Sequence, residues 1–141
     1  LEDQPFDLVI STHVCRGNYH STWAARGGYL PIAPLLFARE KVHTLYLEFD
    51  DERSGGFAPL RYVSPDKTVV LGLVTTKRPD LEDPERIRER IKEAAQYVPL
   101  SRLSLSPQCG FASTEIGNKL TEEDQWKKIA LVRDIAQTVW G

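Results

Sequence analysis

Apolar positions along the chain fall into two alternating patterns. Four short, nearly continuous apolar runs are rich in β-branched residues: 7–12 (DLVIST), 42–49 (VHTLYLEF), 68–75 (TVVLGLVT) and 102–106 (RLSLS). Runs of that length and composition predict β-strands. The third is apolar on both faces, which predicts burial on both. Between and after them the spacing changes to that of helices. Residues 31–40 (PIAPLLFARE) carry Pro31 near the first turn. Residues 57–63 predict a short helix. Asp83 caps Pro84 and a longer helix to about Val98, with Ile87, Ile91, Ala94, Ala95 and Val98 in one apolar stripe. A last helix starts behind Thr121, with acidic Glu122, Glu123 and Asp124 in its first turn. Trp126, Ile129, Ala130, Val132, Ile135, Ala136 and Val139 are its apolar positions.

The order is therefore β-α-β-α-β-α-β-α. Strands alternating with helices predict an α/β fold with a parallel sheet and right-handed crossovers. Four such units are half of a closed (β/α)₈ barrel. No internal repeat exists beyond this alternation. In parallel α/β folds the C-terminal strand ends share one face, and that face carries the site. The segments that follow the strands, 16–28, 50–56, 77–83 and 107–120, should thus share a rim. The first is Gly-rich and long for a βα loop, a feature of functional loops.

A length of 141 residues allows one domain at most. Lys and Arg number 18 against 20 Asp and Glu, a formal net charge of -2, which gives no footprint for nucleic acid or a membrane surface. No apolar run approaches the roughly 20 residues needed to span a bilayer. The N-terminal Leu1-Glu2-Asp3-Gln4-Pro5 is acidic, without the apolar region of a signal peptide. The chain has no Met, and it reads as a piece of a longer polypeptide.

Against this frame, four residues carry the chemistry. His13 and Cys15 form a His-x-Cys pair at the end of the first strand. Glu48 ends the second apolar run, and Cys109 follows the fourth in Ser106-Pro107-Gln108-Cys109-Gly110. One nitrogen, two sulfurs and one oxygen suit zinc. A carboxylate in such a set gives a site able to exchange that position for substrate. Two cysteines could alternatively form a disulfide or remain as buried thiols, and Glu48 could belong to a solvated acidic loop with Asp50, Asp51 and Glu52. Arg16 and Asn18 are placed to support the metal ligands. Tyr19, Trp23 and Tyr29 either line a pocket or pack the loop. His20 and His43 have no partner at ligand spacing and read as structural or exposed. Lys77, after the third strand, is either a general acid or a surface base beside Arg78.

These motifs carry a family resemblance. Ser11-Thr12-His13-Val14-Cys15, Leu45-Tyr46-Leu47-Glu48, Val70-Leu71-Gly72-Leu73-Val74 and Leu103-Ser104-Leu105-Ser106-Pro107-Gln108-Cys109-Gly110 resemble the C-terminal part of the catalytic barrel of cobalamin-independent methionine synthases, above all their shorter single-barrel relatives. The resemblance covers nearly the whole chain. It implies the C-terminal half of a TIM-type (β/α)₈ barrel and a cytoplasmic location, and because half a barrel has two exposed sheet edges, the fragment should be inactive alone. It implies zinc held by His13, Cys15, Glu48 and Cys109, and methyl transfer from 5-methyltetrahydrofolate to the thiol of homocysteine, giving methionine. The fragment should associate with itself or with a missing upstream segment. Where the family's best-known enzymes have Asp-x-His-x-Pro after the third strand, with the His as proton donor, this chain has Thr75-Thr76-Lys77-Arg78-Pro79. Lys77 takes the histidine's place. The alternatives are a thiol methyltransferase with a non-folate donor and a non-catalytic zinc-stabilised module.

Overall fold

A computed structural model describes residues 3–5, 7–112 and 114–141, so Leu1 and Glu2 of the N-terminal stretch lie outside it. Four strands, β1 (Ser11–Val14), β2 (Thr44–Glu48), β3 (Thr68–Val74) and β4 (Leu103–Pro107), form one parallel sheet in chain order. Helix α1 (Ala33–Arg39) connects β1 to β2, α2 (Pro84–Ala94) connects β3 to β4, and α3 (Glu122–Trp140) follows β4. The expected α/β architecture of parallel units is the observed one.

Side chains alternate across a strand. One sheet face presents Leu45 and Leu47, Val69, Leu71 and Leu73, and Leu103 and Leu105. These pack with Phe37, Ile87, Ile91, Ala94 and Ile135 from the helices. Tyr29, Phe37, Phe49 and Phe57 extend this core as a chain of tilted aromatic contacts 4.7–5.6 Å apart. The other face carries His13, Tyr46, Val70 and Ser104 in one row and Glu48, Gly72 and Ser106 in the next. Every residue of β3 from Val69 to Val74 is buried, as its two-sided apolar pattern requires.

Several expectations shift. The first strand was expected over 7–12, but the ladder begins at Ser11. Its partner β2 begins at Thr44, and the His43 ring takes the N–H of Ile10 at Nδ1, 3.0 Å away, where the ladder would otherwise extend. Leu8 and Val9 stay exposed. The short helix expected over 57–63 is a 3₁₀ helix, Ala58–Tyr62, closed off by Ser64-Pro65. Helix α2 stops at Ala94, four residues before the expected Val98, and Pro99 bars continuation, although Val98 is still buried.

Both long helices begin as their caps dictate. Asp83 accepts from the Glu85 N–H. Thr121 and Asp124 form a reciprocal capping box. The buried face of α3 differs from the expectation. Lys128, Leu131, Val132, Ile135 and Val139 turn inward, while Trp126 and Ile129 are exposed. Spacing of three and four residues from Lys128 defines that inward stripe. Ile129 lies about 100° round the helix from it.

Candidate metal centre

The site is assembled at the C-terminal ends of the strands. His13 lies inside β1, on the face shared with Tyr46. Cys15 is one residue past β1. It accepts the Gly17 N–H at 3.3 Å. Gly17 turns the chain sharply, with φ +94°. A Cβ there would sit 2.6 Å from the Ala24 nitrogen, so only glycine lets the loop fold back and pair the Ala24 and Ala25 N–H groups with Arg16 O.

Glu48 ends β2 and is 1% exposed. Its backbone N–H donates to the Tyr29 hydroxyl at 2.8 Å. That hydroxyl donates back to the Glu48 carbonyl, and the Arg16 guanidinium donates to the same carbonyl at 2.7 Å. Tyr29 is thus a buried strut under the site rather than a pocket wall. Burial comes first in pushing its phenol up to about 12.

The Glu48 carboxylate is held at both oxygens. Oε1 accepts from Gln108 Nε2 at 2.6 Å and faces His13 Nε2 at 3.3 Å. Oε2 accepts from the Arg16 N–H at 2.9 Å. Burial pushes this carboxyl up, but hydrogen bonds from His13, Arg16, Gln108 and Cys15 outweigh it and hold Glu48 below the usual glutamate range. Cys15 moves the other way. Burial first, then the negative Glu48 and Cys109, raise its thiol to about 11.

Cys109 is brought in by a close approach of backbones. The Gln108 N–H donates to Val74 O at 2.7 Å, across a register shift between Gly72 and Val74. A Cβ on Gly72 would lie 2.9 Å from Gln108 Cα and 3.0 Å from Leu47 O. The result places one donor atom each from His13, Cys15, Glu48 and Cys109 within 4.8 Å of one another. No disulfide joins the two cysteines. The donor set of one imidazole nitrogen, two sulfurs and one carboxylate oxygen is a zinc set. Two thiols and a buried carboxylate brought together in this way fit a divalent ion, which would lower the thiol that burial has raised.

Around the four, polar groups link the loops. Asn18 Nδ2 donates to Thr76 Oγ1 and to Gly110 O, Thr76 Oγ1 donates to Gln108 Oε1, and Asn118 Nδ2 donates to Thr76 O. Arg16 and Asn18 were legible as supporting groups from their closeness to Cys15. Gln108 and Thr76 were not, since neither belongs to a charged or metal-binding residue type. Gln108, adjacent to a candidate ligand, was the only signal available. His20 bonds Gly117 O and His43 bonds Ile10, as structural histidines do.

Lys77 follows β3 on the same rim. Its Nζ pairs with Asp50 Oδ2 at 3.2 Å, and both side chains are nearly buried. It lines a cavity of about 490 Å³ with Trp23, Arg26, Arg53 and Arg78. A separate cavity of about 240 Å³ is lined by His13, Tyr46, Gln108 and Cys109.

Comparison with known proteins follows the same lines. The chain is 55% identical over 141 residues to the uncharacterized proteins YxjG and YxjH of Bacillus subtilis (strain 168), covering 99% of this chain and 37% of each relative. It thus spans little more than a third of the curated relatives it matches. It also matches the crystal structure of the "Putative Vitamin-B12 Independent Methionine Synthase" from Listeria monocytogenes, with TM-score 0.75, 43% identity, 99% of this chain and 37% of that one. A B12-independent methionine synthase from Shewanella sp. W3-18-1, in complex with selenomethionine, shares the fold with TM-score 0.75 at 17% identity, over 95% of this chain and 39% of that one. Residues 6–137 match the family profile described as "Cobalamin-independent synthase, Catalytic domain", and to that family the chain belongs.

Proposed function

We propose that this chain is the zinc-binding portion of a thiol methyltransferase that converts homocysteine to methionine with 5-methyltetrahydrofolate as methyl donor. The observation that carries the reading is the meeting of His13, Cys15, Glu48 and Cys109 donors within 4.8 Å on the strand-end rim. The family membership and the Listeria relative support it. Zinc bound by these four residues would supply a thiolate at neutral pH from a thiol whose ordinary pKa is about 8.5.

The residues do the rest. Cys15 and Cys109 give two sulfur donors, and His13 gives one nitrogen. Glu48 gives an oxygen, the ligand that a borderline-soft ion holds least firmly, and so offers the position open to a substrate thiol. In the transfer the sulfur–methyl bond forms as the donor's nitrogen–methyl bond breaks, and the amine nitrogen leaves readily only when it takes up a proton. Lys77 is the group assigned to supply it. The Asp50 pairing orients its ammonium.

A second reading is favoured by one observation. Lys77 is tied to Asp50 in a cavity separate from that of His13 and Cys109. That arrangement suits a methyl donor whose leaving group needs no protonation, hence a non-folate donor.

The test is the metal content of freshly purified protein, followed by zinc-edge X-ray absorption during homocysteine titration. Replacement of an oxygen neighbour by a third sulfur is expected. A shell unchanged by thiol would mean a closed, structural zinc. Activity of the full-length protein with and without folate donor then decides between the two readings.

A further inference from the structure

We propose that Gln108 is a positioning residue that weakens the Glu48 carboxylate as a ligand, so that a substrate thiol can take its place. This rests on the metal-site reading above and deepens it.

Gln108 is 3% exposed and is not a metal-binding residue type. Its amide has one orientation that satisfies its neighbours. Asn18 Nδ2 can only donate, and it does so to Thr76 Oγ1 at 2.9 Å. The Thr76 hydrogen is therefore free to point at Gln108 Oε1, 3.1 Å away. That leaves Gln108 Nε2 aimed at Glu48 Oε1, at 2.6 Å. Every link runs donor to acceptor in the same direction, from the loop after β1, through the loop after β3, to the loop after β4, and ends on the carboxylate of β2. A flipped Gln108 amide would set its oxygen against that carboxylate.

The oxygen that Gln108 binds is also the one turned to His13 Nε2, 3.3 Å away. A short hydrogen bond to a carboxylate is charge-assisted and draws electron density from the oxygen that accepts it. In a buried site this withdrawal is strong. Glu48 therefore has less charge to give to a cation than a free carboxylate would. Of the sulfur donors, Cys15 accepts the Gly17 N–H at 3.3 Å. The relay thus acts on the oxygen ligand, the one that a borderline-soft ion already holds least firmly. Groups that orient and tune ligands in this way typically matter by 10–100-fold in affinity.

The test uses the full chain loaded with cobalt(II), whose absorption reports both ligand number and thiolate donors, titrated with homocysteine. Wild-type protein and Thr76→Ser, which keeps the hydroxyl, are expected to bind homocysteine equally. Gln108→Met, of similar volume but without the amide, and Thr76→Val, without the hydroxyl that orients the amide, are expected to hold cobalt at least as tightly and to bind homocysteine about tenfold or more weakly. Should Gln108→Met fail to fold, the Thr76→Val and Thr76→Ser pair decides alone. Unchanged homocysteine affinity in the folded variants would overturn the proposal. So would a loss of cobalt and thiol affinity in parallel, the mark of a merely structural role. Wild-type protein that takes up no cobalt, or whose spectrum homocysteine does not move, would remove the metal-site reading itself, and this inference with it.

Discussion

Glycine at position 72 decides whether Cys109 reaches the other three donors. The residue sits in β3 opposite Glu48 on one side and Ser106 on the other, where β4 leaves its register. The Gln108 backbone fills the space that a side chain would need. Gly72→Ala would force the β4 segment outward against backbone atoms, which do not yield as a flexible side chain does. A cost of about 1–3 kcal/mol in stability is expected, as for other overpacked interiors, together with loss of metal affinity, because Gln108 and Cys109 move as one. Urea unfolding and a zinc competition titration measure the two effects. A variant destabilised but with undiminished zinc affinity would show that Cys109 is placed independently of the β3–β4 contact. Gly72 also shows what a sequence displays and what it hides. His13, Cys15, Glu48 and Cys109 were legible because all four are metal-donor residue types placed at or just after apolar runs. Gly72, Thr76 and Gln108 have ordinary side chains whose importance comes only from distances of about 3 Å between segments remote in the chain.

Among the elements, α3 shows how a helix can be foreseen while its buried face is not. The Thr121 cap and the acidic first turn fix where it starts. Its apolar residues, however, surround too much of the helix to name one face. The face is chosen by Lys128, a residue type seldom buried unless paired. Lys128 is fully buried, and its Nζ donates to Asp80 O and to both oxygens of Glu82, at 2.6–3.3 Å. Glu82 Oε1 in turn accepts the Thr75 N–H at 2.8 Å. Lys128 thereby ties α3 to the loop that carries Thr76 and Lys77. Lys128→Met would leave Glu82 and Asp80 O without that partner. A loss of about 2–3 kcal/mol is expected, below the 3–5 kcal/mol of a fully buried pair, because Glu82 keeps some contact with water. Ile129→Ser, one residue on but exposed, should stay within about 0.5 kcal/mol. Equal effects of the two substitutions on the denaturant midpoint would show that the helix is held by its apolar contacts and not by the ion pair.

At the scale of the molecule, helices cover one face of the parallel sheet, while the other is buried at Glu48, Val70 and Gly72 but open elsewhere. Parallel sheets are ordinarily covered on both faces, and here that other face carries Tyr46 at 41% exposure beside His13 and Ser104. Among the described residues, β1 pairs only with β2 and β4 only with β3, so two strand edges present unpaired backbone groups. Such edges template association with another chain. Val9, just before β1, Leu35 on α1 and Trp126 on α3 are exposed apolar side chains. The relatives that the chain matches are nearly three times as long as the aligned segment. Open edges of this kind invite pairing with further strands, in the same polypeptide or in a second copy. The 141 residues on their own are therefore expected to self-associate, with a sedimentation coefficient that rises with protein concentration. If the four-donor cluster holds zinc as proposed, zinc should raise the melting temperature of this material, because those donors meet only in the folded rim. It should leave the association in place, because the proposed donors from β1, β2 and the loop after β4 lie at the strand ends and cover neither edge. A monomer whose sedimentation is independent of concentration, with or without zinc, would mean that water satisfies both edges and that the four-stranded unit is stable by itself.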